Sequence, residues 1–389
     1  MRSWICRISI LTAALFAAAC SDDKTPTGDG QEMKSDEAGK SVKTSPHAAT
    51  AGKALFVPGA EGDGLTEIQV VAALTRLGAT LKRNEQEQVI TVDLAECDVT
   101  DDRLKHLGKL ASLEYLHLSN NPRITDAALL YLEGNTNLKL LDLRGTQVTD
   151  AALKSVRGMT ELKSLKLSGP QVEDAGLEYL AALTKLEALG LDGAEVTDAG
   201  LEKLEPLAVL EELYLAQTPI TDEGLAHLAG LPRLKRLRLA GTGVTDRGME
   251  FLSAMSGLED LDLTDTAVGD EGLAHLEKLP ELTKLTLWTT GVTDEGLVHL
   301  EEMTQLTWLN LDNTKVTDAG LPHLKALGNL EFLHLGRNAV TDAGLDNLAG
   351  LKKLTDLRIT RTNVTDAGVA KLQAALPDCK IESMVEGED

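Results

Sequence analysis

Cysteine is scarce in this sequence, and the positions of the few cysteines exclude both a disulfide framework and a cysteine-ligated zinc site. The 389 residues contain only Cys6, Cys20, Cys97 and Cys379. The last two could pair only if the fold brought the two ends of the chain together, so a disulfide framework is excluded. No CxxC pair and no cluster of cysteine with histidine supplies the ligands of a zinc site.

Aromatic residues and positive charge are also in short supply. Phe, Trp and Tyr make up 3% of a chain that is 43% hydrophobic, so its core must be aliphatic. Lys and Arg number 38 against 61 Asp and Glu, which gives a net charge of −23. We therefore expect no nucleic-acid partner, because nothing here would neutralise a phosphate backbone.

No apolar run is long enough to cross a bilayer. The run from Ile8 to Ala19 follows Arg2 and Arg7, which is typical of a secretory signal peptide. Residues 1–20 end in FAAAC, which resembles a bacterial lipobox. The resemblance implies that Cys20 is diacylated and becomes the mature N-terminus, so that a lipid anchor is the only contact with a membrane.

Two details bear on this anchor. Ala17 stands where the lipoprotein family most often has Leu, and cleavage without lipidation or an uncleaved anchor are the alternatives. Ser21 rather than Asp follows Cys20, which in that family favours the outer membrane. We expect a protein that is secreted across the inner membrane and anchored by lipid at the cell envelope.

Residues 21–63 have the composition of a disordered linker, rich in Asp, Lys, Gly, Ser, Thr and Pro. The linker contains Gly39-Lys40-Ser41, the end of a phosphate-binding loop motif. Lys34 occupies the place of the first glycine of that motif, and no strand precedes it. We therefore expect no nucleotide and no other cofactor.

One hexapeptide sets the organisation of the remaining chain. VTDAGL occurs at 316–321 and again at 340–345, and related sequences make twelve units with a step of 24 residues after a first step of 25. The units start at Val99, Ile124, Val148, Val172, Val196, Ile220, Val244, Val268, Val292, Val316, Val340 and Val364. A period of this length combined with LxxLxL is the sequence signature of a leucine-rich repeat.

The pattern within each unit predicts an α/β leucine-rich repeat solenoid. LxxLxL alternates leucine with polar residues, as a half-buried strand does, while TDxGLxxLxxL has the spacing of a short helix. The helix supplies the crossover that parallel strands need. We expect a curved parallel sheet on the concave face, short helices on the convex face, and an Asp that caps the free N–H groups of each helix.

The ends of such an array must cover leucines that lack a neighbour. Residues 64–88 predict an N-terminal cap made of one amphipathic helix and a polar turn, and the repeat array covers 89–377. Residues 378–389 predict a C-terminal cap with a short final strand, followed by an acidic tail.

The units LTKLEALGLDGAEVTDAGLEKL and LTQLTWLNLDNTKVTDAGLPHL resemble those of leucine-rich repeat proteins that are abundant in planctomycetes and related bacteria. More distantly, they are similar to the recognition half of eukaryotic F-box proteins, although no F-box precedes the repeats. The resemblance covers residues 64–383. It implies the fold and leaves the function open.

A column of threonines follows the strands, from Thr146 to Thr362, where a side chain can satisfy the backbone groups of the turn. Cys97 shares this column, so we interpret it as a turn residue and not as a nucleophile. Pro170 and Ala194 interrupt the column, which predicts looser packing around them.

Residues with reactive side chains fit the repeat better than a catalytic or metal site. Asp260 and Asp262 have basic neighbours on adjacent strands, which favours charge pairing. No GxSxG or HExxH motif occurs. One helix column contains His106, His227, His275, His299 and His323. Neighbouring helices are roughly 8–10 Å apart and no carboxylate is expected to orient the rings, so we predict neither a metal site nor an enzyme.

The non-leucine positions of the strands differ from unit to unit, and aromatic residues of three successive units gather among them. The predicted partner-binding patch consists of Trp288, Trp308, Phe332, His334, Arg337, Arg358 and Arg361. Aromatic residues with arginine are typical of interface hot spots. Random drift of the repeats, together with the preference of aromatics for strands, would give the same pattern without a function.

The sequence therefore favours a non-catalytic protein-binding scaffold at the bacterial cell envelope, with its partner docked on the concave sheet face. A structural or adhesive envelope element and a glycan-binding protein, whose aromatic rings would stack on sugars, are the alternatives. We expect a monomer, and the sequence does not identify the partner.

Lipidation at Cys20 can be tested directly. Cys20→Ala should leave the precursor unprocessed or release the protein into the soluble fraction, because two acyl chains hold a protein durably on a membrane. Cell fractionation and the electrophoretic mobility of the protein measure these outcomes. Unchanged processing and membrane association in the variant would rule out the lipid anchor.

Overall fold

The computed structural model of the protein describes residues 65–383. The predicted signal peptide (1–20) with Cys20, the predicted linker (21–63), Gly64 and residues 384–389 lie outside this range. Within residues 65–383, no helix combines the length and the apolar character needed to cross a membrane.

Fourteen strands form one sheet, and their order in the sheet is their order in the chain. The strands are β1 (Thr80–Arg83), β2 (Val89–Asp93), β3 (Tyr115–His117), β4 (Leu140–Asp142), β5 (Ser164–Ser168), β6 (Ala188–Asp192), β7 (Glu212–Tyr214), β8 (Arg236–Arg238), β9 (Asp260–Asp262), β10 (Lys284–Thr286), β11 (Trp308–Asn310), β12 (Phe332–His334), β13 (Asp356–Arg358) and β14 (Lys380–Glu382). β1 pairs with β2 in antiparallel orientation, and every later pair of neighbours is parallel. Each unit therefore contacts only the units before and after it, as a solenoid requires.

Short helices connect the parallel strands. The α-helices are α1 (Glu67–Arg76), α2 (Asp101–Leu104), α3 (Asp126–Leu130), α4 (Asp150–Val156), α5 (Asp174–Leu177), α6 (Asp198–Leu201), α7 (Asp222–Leu228), α8 (Asp246–Leu252), α9 (Asp270–Leu276), α10 (Asp342–Leu345) and α11 (Asp366–Ala375). The 3₁₀ helices are Leu107–Lys109, Leu180–Ala182, Glu202–Leu204, Gly296–Leu300, Leu321–Leu324 and Asp346–Leu348. The predicted alternation of strand and short helix is confirmed, although two units have only a 3₁₀ helix.

Leucine columns form the core between the sheet and the helices. In the unit of β11, Leu306, Leu309 and Leu311 are fully buried, and the equivalent leucines of the other units are buried in the same way. Burying one leucine side chain contributes about 1.5–3 kcal/mol. The core is aliphatic, as the scarcity of aromatic residues predicted.

The Asp of each unit binds the following unit, and the prediction that it caps its own helix is wrong. The helices begin at this Asp, so the residue before it, usually Thr, is the N-cap. The carboxylate of Asp222 accepts hydrogen bonds from the backbone N–H and the hydroxyl of Thr245 at 2.8 and 2.7 Å. The hydroxyl of Thr245 in turn accepts from the N–H of Arg247 at 3.3 Å. The Thr therefore caps its own helix and is held by the preceding unit.

This contact recurs along the array. A carboxylate accepts the backbone N–H of the next unit at every junction from Asp101–Thr125 to Asp342–Thr365. Where the N-cap is Glu173 or Gly269, the backbone bond forms without the hydroxyl. We call this contact the Asp–Thr clamp.

The glycine that follows two residues after the Asp of the next unit leaves room for the clamp carboxylate. A Cβ on Gly248 would lie 2.5 Å from a carboxylate oxygen of Asp222, too close for a carbon atom. Ala128 takes the place of this glycine in an early unit, where the clamp between Asp101 and Thr125 still forms at 2.8 Å. Small shifts of the neighbouring atoms therefore accommodate the methyl group of an alanine at this position. The TDxG motif marks the residues that form the clamp between units.

The threonines after the strands act within their own turn. The hydroxyl of Thr242, for example, donates to the carbonyl of Leu239 at 2.7 Å. Thr314 is an exception, because its hydroxyl also lies 3.0 Å from Oδ1 of Asn338 in the next unit. Pro170 and Ala194 follow β5 and β6, which pair over five residues, and the looser packing around them stays a prediction.

The N-terminal cap has one strand more than the sequence predicted. The side chains of Thr66 and Gln69 form a capping box at the start of α1. β1 then pairs with β2 across a turn in which Asn84 Oδ1 accepts the N–H groups of Gln86 and Gln88 at 3.1 and 2.9 Å. In four residues, the alternation of more and less exposed side chains is too short to distinguish a strand from a polar turn in the sequence.

Removing one clamp carboxylate should destabilise the array. Asp222→Ala leaves the N–H and hydroxyl of Thr245 without their acceptor, and we expect the free energy of unfolding to fall by about 1–3 kcal/mol. Urea denaturation followed by circular dichroism measures the loss.

Asp366 provides the matched control. It occupies the same place in the last unit, where no later Thr follows it, so Asp366→Ala should lose only the interaction with its helix dipole, about 0.3–1 kcal/mol. Equal losses in the two variants would show that the carboxylate acts on its own helix and not on the next unit.

Candidate functional site

The residues that flank the central leucine of each strand point away from the core, and we call the surface they form the open sheet face. The strand register aligns them in two ladders. The first contains Glu212, Arg236, Asp260, Lys284, Trp308, Phe332, Asp356 and Lys380, and the second contains Tyr214, Arg238, Asp262, Thr286, Asn310, His334, Arg358 and Glu382.

Opposite charges pair across the middle of the open sheet face. Arg236 contacts Glu212 at 2.8 Å and Asp260 at 3.2 Å, on the two neighbouring strands. Arg238 contacts Asp262 at 3.2 Å. The predicted charge pairing is confirmed, and burial raises the pKa of Asp260 without removing its ion pair.

Two stacked aromatic rings interrupt the first ladder. The rings of Trp308 and Phe332 are nearly parallel, with centroids 3.6 Å apart and planes 9° apart. Because Leu306, Leu309 and Leu311 fill the core side of its strand, the sequence predicts a largely exposed Trp308 ring. The residue is half-buried, so this prediction is wrong. Phe332 therefore lies flat against one face of the Trp308 ring.

Three of the predicted patch residues lie deeper than a partner could reach directly. Phe332 and His334 are 4% and 7% exposed. The guanidinium of Arg358 lies 5.2 Å from the centre of the Phe332 ring, and the His334 ring meets the same ring edge-on at 6.4 Å. These three side chains form the support on which Trp308 rests.

A second group of patch residues lies where the strands end. The guanidinium of Arg337 lies 5.7 Å from the centre of the Trp288 ring. It also donates two hydrogen bonds to Asp312, from Nε at 3.1 Å and from Nη2 at 2.6 Å. The side chain of Asp312 is 2% exposed, and a bidentate arginine is the strong form of pairing for a buried carboxylate. Asp312 therefore holds Arg337 in one orientation beside the indole ring of Trp288.

Asp312 belongs to the candidate site by its contacts but is not among the predicted patch residues. A Cβ on Gly336 would lie 2.7 Å from Asp312 Oδ1, 2.9 Å from His334 Nε2 and 3.0 Å from the Thr360 hydroxyl. The glycine therefore lets these three polar groups converge. A signal was present, because Asp312 and Gly336 occupy the position of Trp288 in the next two units, and glycine allows such a close approach.

The convergence of Asp312, His334 and Thr360 does not form a catalytic triad. The oxygens of Asp312 are both engaged by Arg337. His334 Nε2 lies 3.8 Å from the carboxylate, which is beyond hydrogen-bond distance. In a triad the carboxylate is hydrogen-bonded to the histidine ring and orients it.

Arg361 and Arg337 are the exposed members of the predicted patch. Arg361 lies in the turn after β13 and makes no ion pair or side-chain hydrogen bond with any of residues 65–383. The structure thus brings Trp308, Phe332, His334 and Arg358 into one group and Trp288 and Arg337 into another. Asp312 joins the two groups, since His334 Nε2 lies 3.8 Å from its carboxylate.

Three helix-column histidines have an acidic partner, and the prediction that no carboxylate orients them is wrong. In each pair the ring Nδ1 faces a Glu of the preceding unit. The pairs are His227–Glu205 at 3.6 Å, His299–Glu277 at 3.1 Å and His323–Glu301 at 2.5 Å. Repetition copied the Glu along with the His. Within residues 65–383, no three His, Cys, Asp or Glu side chains lie together in a way that could hold a metal ion.

The two cysteines in the described range are poor nucleophiles. Burial raises the pKa of the Cys379 thiol to about 11. Burial and the nearby Asp93 and Glu96 also raise the pKa of Cys97. Since the thiolate is the reactive form, both side chains stay protonated at neutral pH. Cys97 lies in the turn after β2, where its N–H donates to the carbonyl of Leu94 at 3.3 Å.

A family model described as Leucine Rich repeat matches four stretches of the chain, at residues 109–132, 134–156, 257–276 and 329–349. This match and the strand order decide the architecture. The fold is a leucine-rich repeat solenoid. The predicted fold class is thereby confirmed.

Solved structures with this fold include bacterial proteins. The solenoid is similar to an internalin (inlF) from Listeria monocytogenes, with a TM-score of 0.59 and 22% identity, over 82% of this chain and 95% of that one. An internalin C2 from the same organism is similar with a TM-score of 0.42 and 23% identity, over 54% and 84% of the chains. A TDR receptor is similar with a TM-score of 0.47 and 16% identity, over 74% and 50%. The sequence matches no curated protein.

The open sheet face should tolerate substitution better than the core of the solenoid. Leu309→Ala should lower the free energy of unfolding by about 2–5 kcal/mol, because it leaves a cavity between sheet and helices. Trp308→Ala should lose the stacking with Phe332, about 0.5–1.5 kcal/mol. Thermal and urea denaturation measure both changes. A loss at Trp308 as large as that at Leu309 would mean that the indole is part of the core.

Proposed function

We propose that the protein is a non-catalytic scaffold that binds a protein partner on the open sheet face, at the aromatic patch of Trp288, Trp308, Phe332, His334, Arg337, Arg358 and Arg361. The observation that carries this proposal is the stack of Trp308 on Phe332 within a ladder of paired charges. The leucines on the other side of the sheet already complete the core. The stack therefore has no role in closing the solenoid, and its half-buried member, Trp308, is available to a partner.

The patch has the physical properties of an interface hot spot. Trp308 is held by Phe332, and Arg337 is held by Asp312 and by the Trp288 ring. Side chains that are already fixed lose less conformational entropy when a partner binds. Aromatic and arginine anchors of this kind account for most of the binding energy in interfaces that have been measured.

The cell envelope is the location that this proposal favours. The apolar segment before Cys20 supports secretion and lipid anchoring, and the 43 residues of 21–63 would act as a tether. As a flexible coil, a tether of this length reaches roughly 35 Å. The solenoid would then present the aromatic patch to partners near the membrane surface.

A glycan partner fits the geometry less well than a protein. Sugars bind to the flat face of an aromatic ring, and Phe332 covers one face of Trp308 at 3.6 Å. Lys284 occupies the next position of the ladder on the other side. A protein side chain can pack against the exposed edge of the indole, and it can contact the neighbouring arginines at the same time.

Affinity capture of envelope proteins by the full-length protein, followed by measurement of the dissociation constant of each captured protein, tests this function. Trp308→Ala should weaken binding by at least ~2 kcal/mol, which is about thirtyfold. Competition with soluble glycans should leave binding unchanged.

Tyr115→Ala is the matched control, because Tyr115 lies half-buried on the same face, on β3. It should leave the dissociation constant unchanged. Similar losses in both variants would indicate a diffuse surface, and full binding by Trp308→Ala would exclude the aromatic patch. Loss of binding in the presence of glycans would favour the sugar-binding alternative.

A further inference from the structure

The aromatic patch lies in a basic part of a strongly acidic chain. We infer that its partner contributes an acidic segment, whose carboxylates bind Arg337 and Arg361 while an adjacent apolar side chain packs on Trp308. This inference rests on the proposed binding function and names the chemistry of the partner.

The local balance of charge is opposite to that of the whole protein. The net charge of the chain is −23. On β10 to β14 and in the turns that follow these strands, five basic side chains face the open sheet face or its edge, against three acidic ones. The basic residues are Lys284, Arg337, Arg358, Arg361 and Lys380, and the acidic ones are Asp312, Asp356 and Glu382.

The exposed part of this balance remains basic. The side chain of Asp312 is 2% exposed, whereas that of Arg337 is 38% exposed. Glu382 is already engaged, by Lys380 at 2.6 Å and by Arg358 at 3.4 Å. A partner that approaches the turns after β12 and β13 meets the exposed guanidinium groups of Arg337 and Arg361.

Arg337 and Arg361 keep hydrogen-bond donors for a partner. Asp312 uses Nε and Nη2 of Arg337, and the Nη1 group has no acceptor within residues 65–383. Arg361 makes no side-chain hydrogen bond to any part of that range. A carboxylate that meets these groups would form charge-assisted hydrogen bonds, which are roughly twice as strong as neutral ones.

The two arginines are placed by the fold at equivalent positions of successive units. Both have a left-handed backbone, with φ of 55°, in turns that follow neighbouring strands about 4.8 Å apart. The same position in the five preceding units holds Gln217, Gly241, Asp265, Thr289 and Asn313. Positive charge at this position is thus confined to the end of the array that carries the aromatic stack.

Dye-labelled peptides of equal length test the inference on the full-length protein. Each peptide has one central Leu, flanked by Glu in the first, Gln in the second and Lys in the third, and fluorescence anisotropy gives the dissociation constants. The Glu peptide should bind at least about tenfold more tightly than the Gln peptide at low ionic strength. The difference should shrink in 1 M salt, where charges are screened beyond about 3 Å.

Arg361→Gln should remove most of the preference for the Glu peptide, and it breaks no contact within residues 65–383, so its folding should be unaffected. Arg247→Gln is the matched control. Arg247 lies in α8, with a side chain 64% exposed and paired with Glu223, and its replacement should leave the preference intact.

Three results would overturn the inference. If the Gln or Lys peptide binds as tightly as the Glu peptide, and only Trp308→Ala weakens it, the partner is not acidic while the proposed function stands. If no peptide shows binding that depends on Trp308, both proposals fail. If the protein self-associates through Arg361, or if removing residues 384–389 raises peptide affinity, the occupant is a second copy or the acidic end of this chain and not a separate partner.

Discussion

The Asp–Thr clamp is the contact that turns a repeated sequence into one rigid body. The sheet joins neighbouring units along their strands, and the clamp joins them at the start of their helices, where Asp222 accepts two hydrogen bonds from Thr245. With both sides of a unit fixed, its leucines can stack only on those of the next unit. A single unit could not bury its leucines, so the core depends on this contact between neighbours.

Fixing the units also fixes what lies on the open sheet face. Every strand position faces the equivalent position 24 residues away, so a substitution changes the neighbours of one column and leaves the core unchanged. Charges there can pair, as Arg236 does with Glu212 and Asp260, or aromatic rings can stack, as Trp308 and Phe332 do. The open sheet face can therefore vary in function at little expense to stability.

Periodicity in the sequence predicted what repeats within a unit and the charge pairs between neighbouring strands, and it failed for other side-chain contacts between units. The strands, the short helices and the aliphatic core follow from spacing alone. Spacing alone did not predict three other features. These are the residue that each clamp Asp binds, the Glu partners of His299 and His323, and the burial of Trp308. Each of these depends on a side chain 22 to 24 residues away, whose distance is set by how the units stack. The strand β1 was missed for another reason, since four residues carry too little pattern.

Asp312 shows how the same limit applies to the candidate site. Its sequence position marks it as an ordinary member of a variable column, but the missing Cβ of Gly336 lets it sink beneath the surface to 2% exposure. There its charge fixes Arg337 beside Trp288 and lies 3.8 Å from His334. A buried carboxylate of this kind adds little to stability, because desolvation offsets most of the attraction. Its effect is to hold Arg337 in place. Arg361, in the next unit, has no such partner among residues 65–383, because Gly336 stands where Asp312 stands one unit earlier.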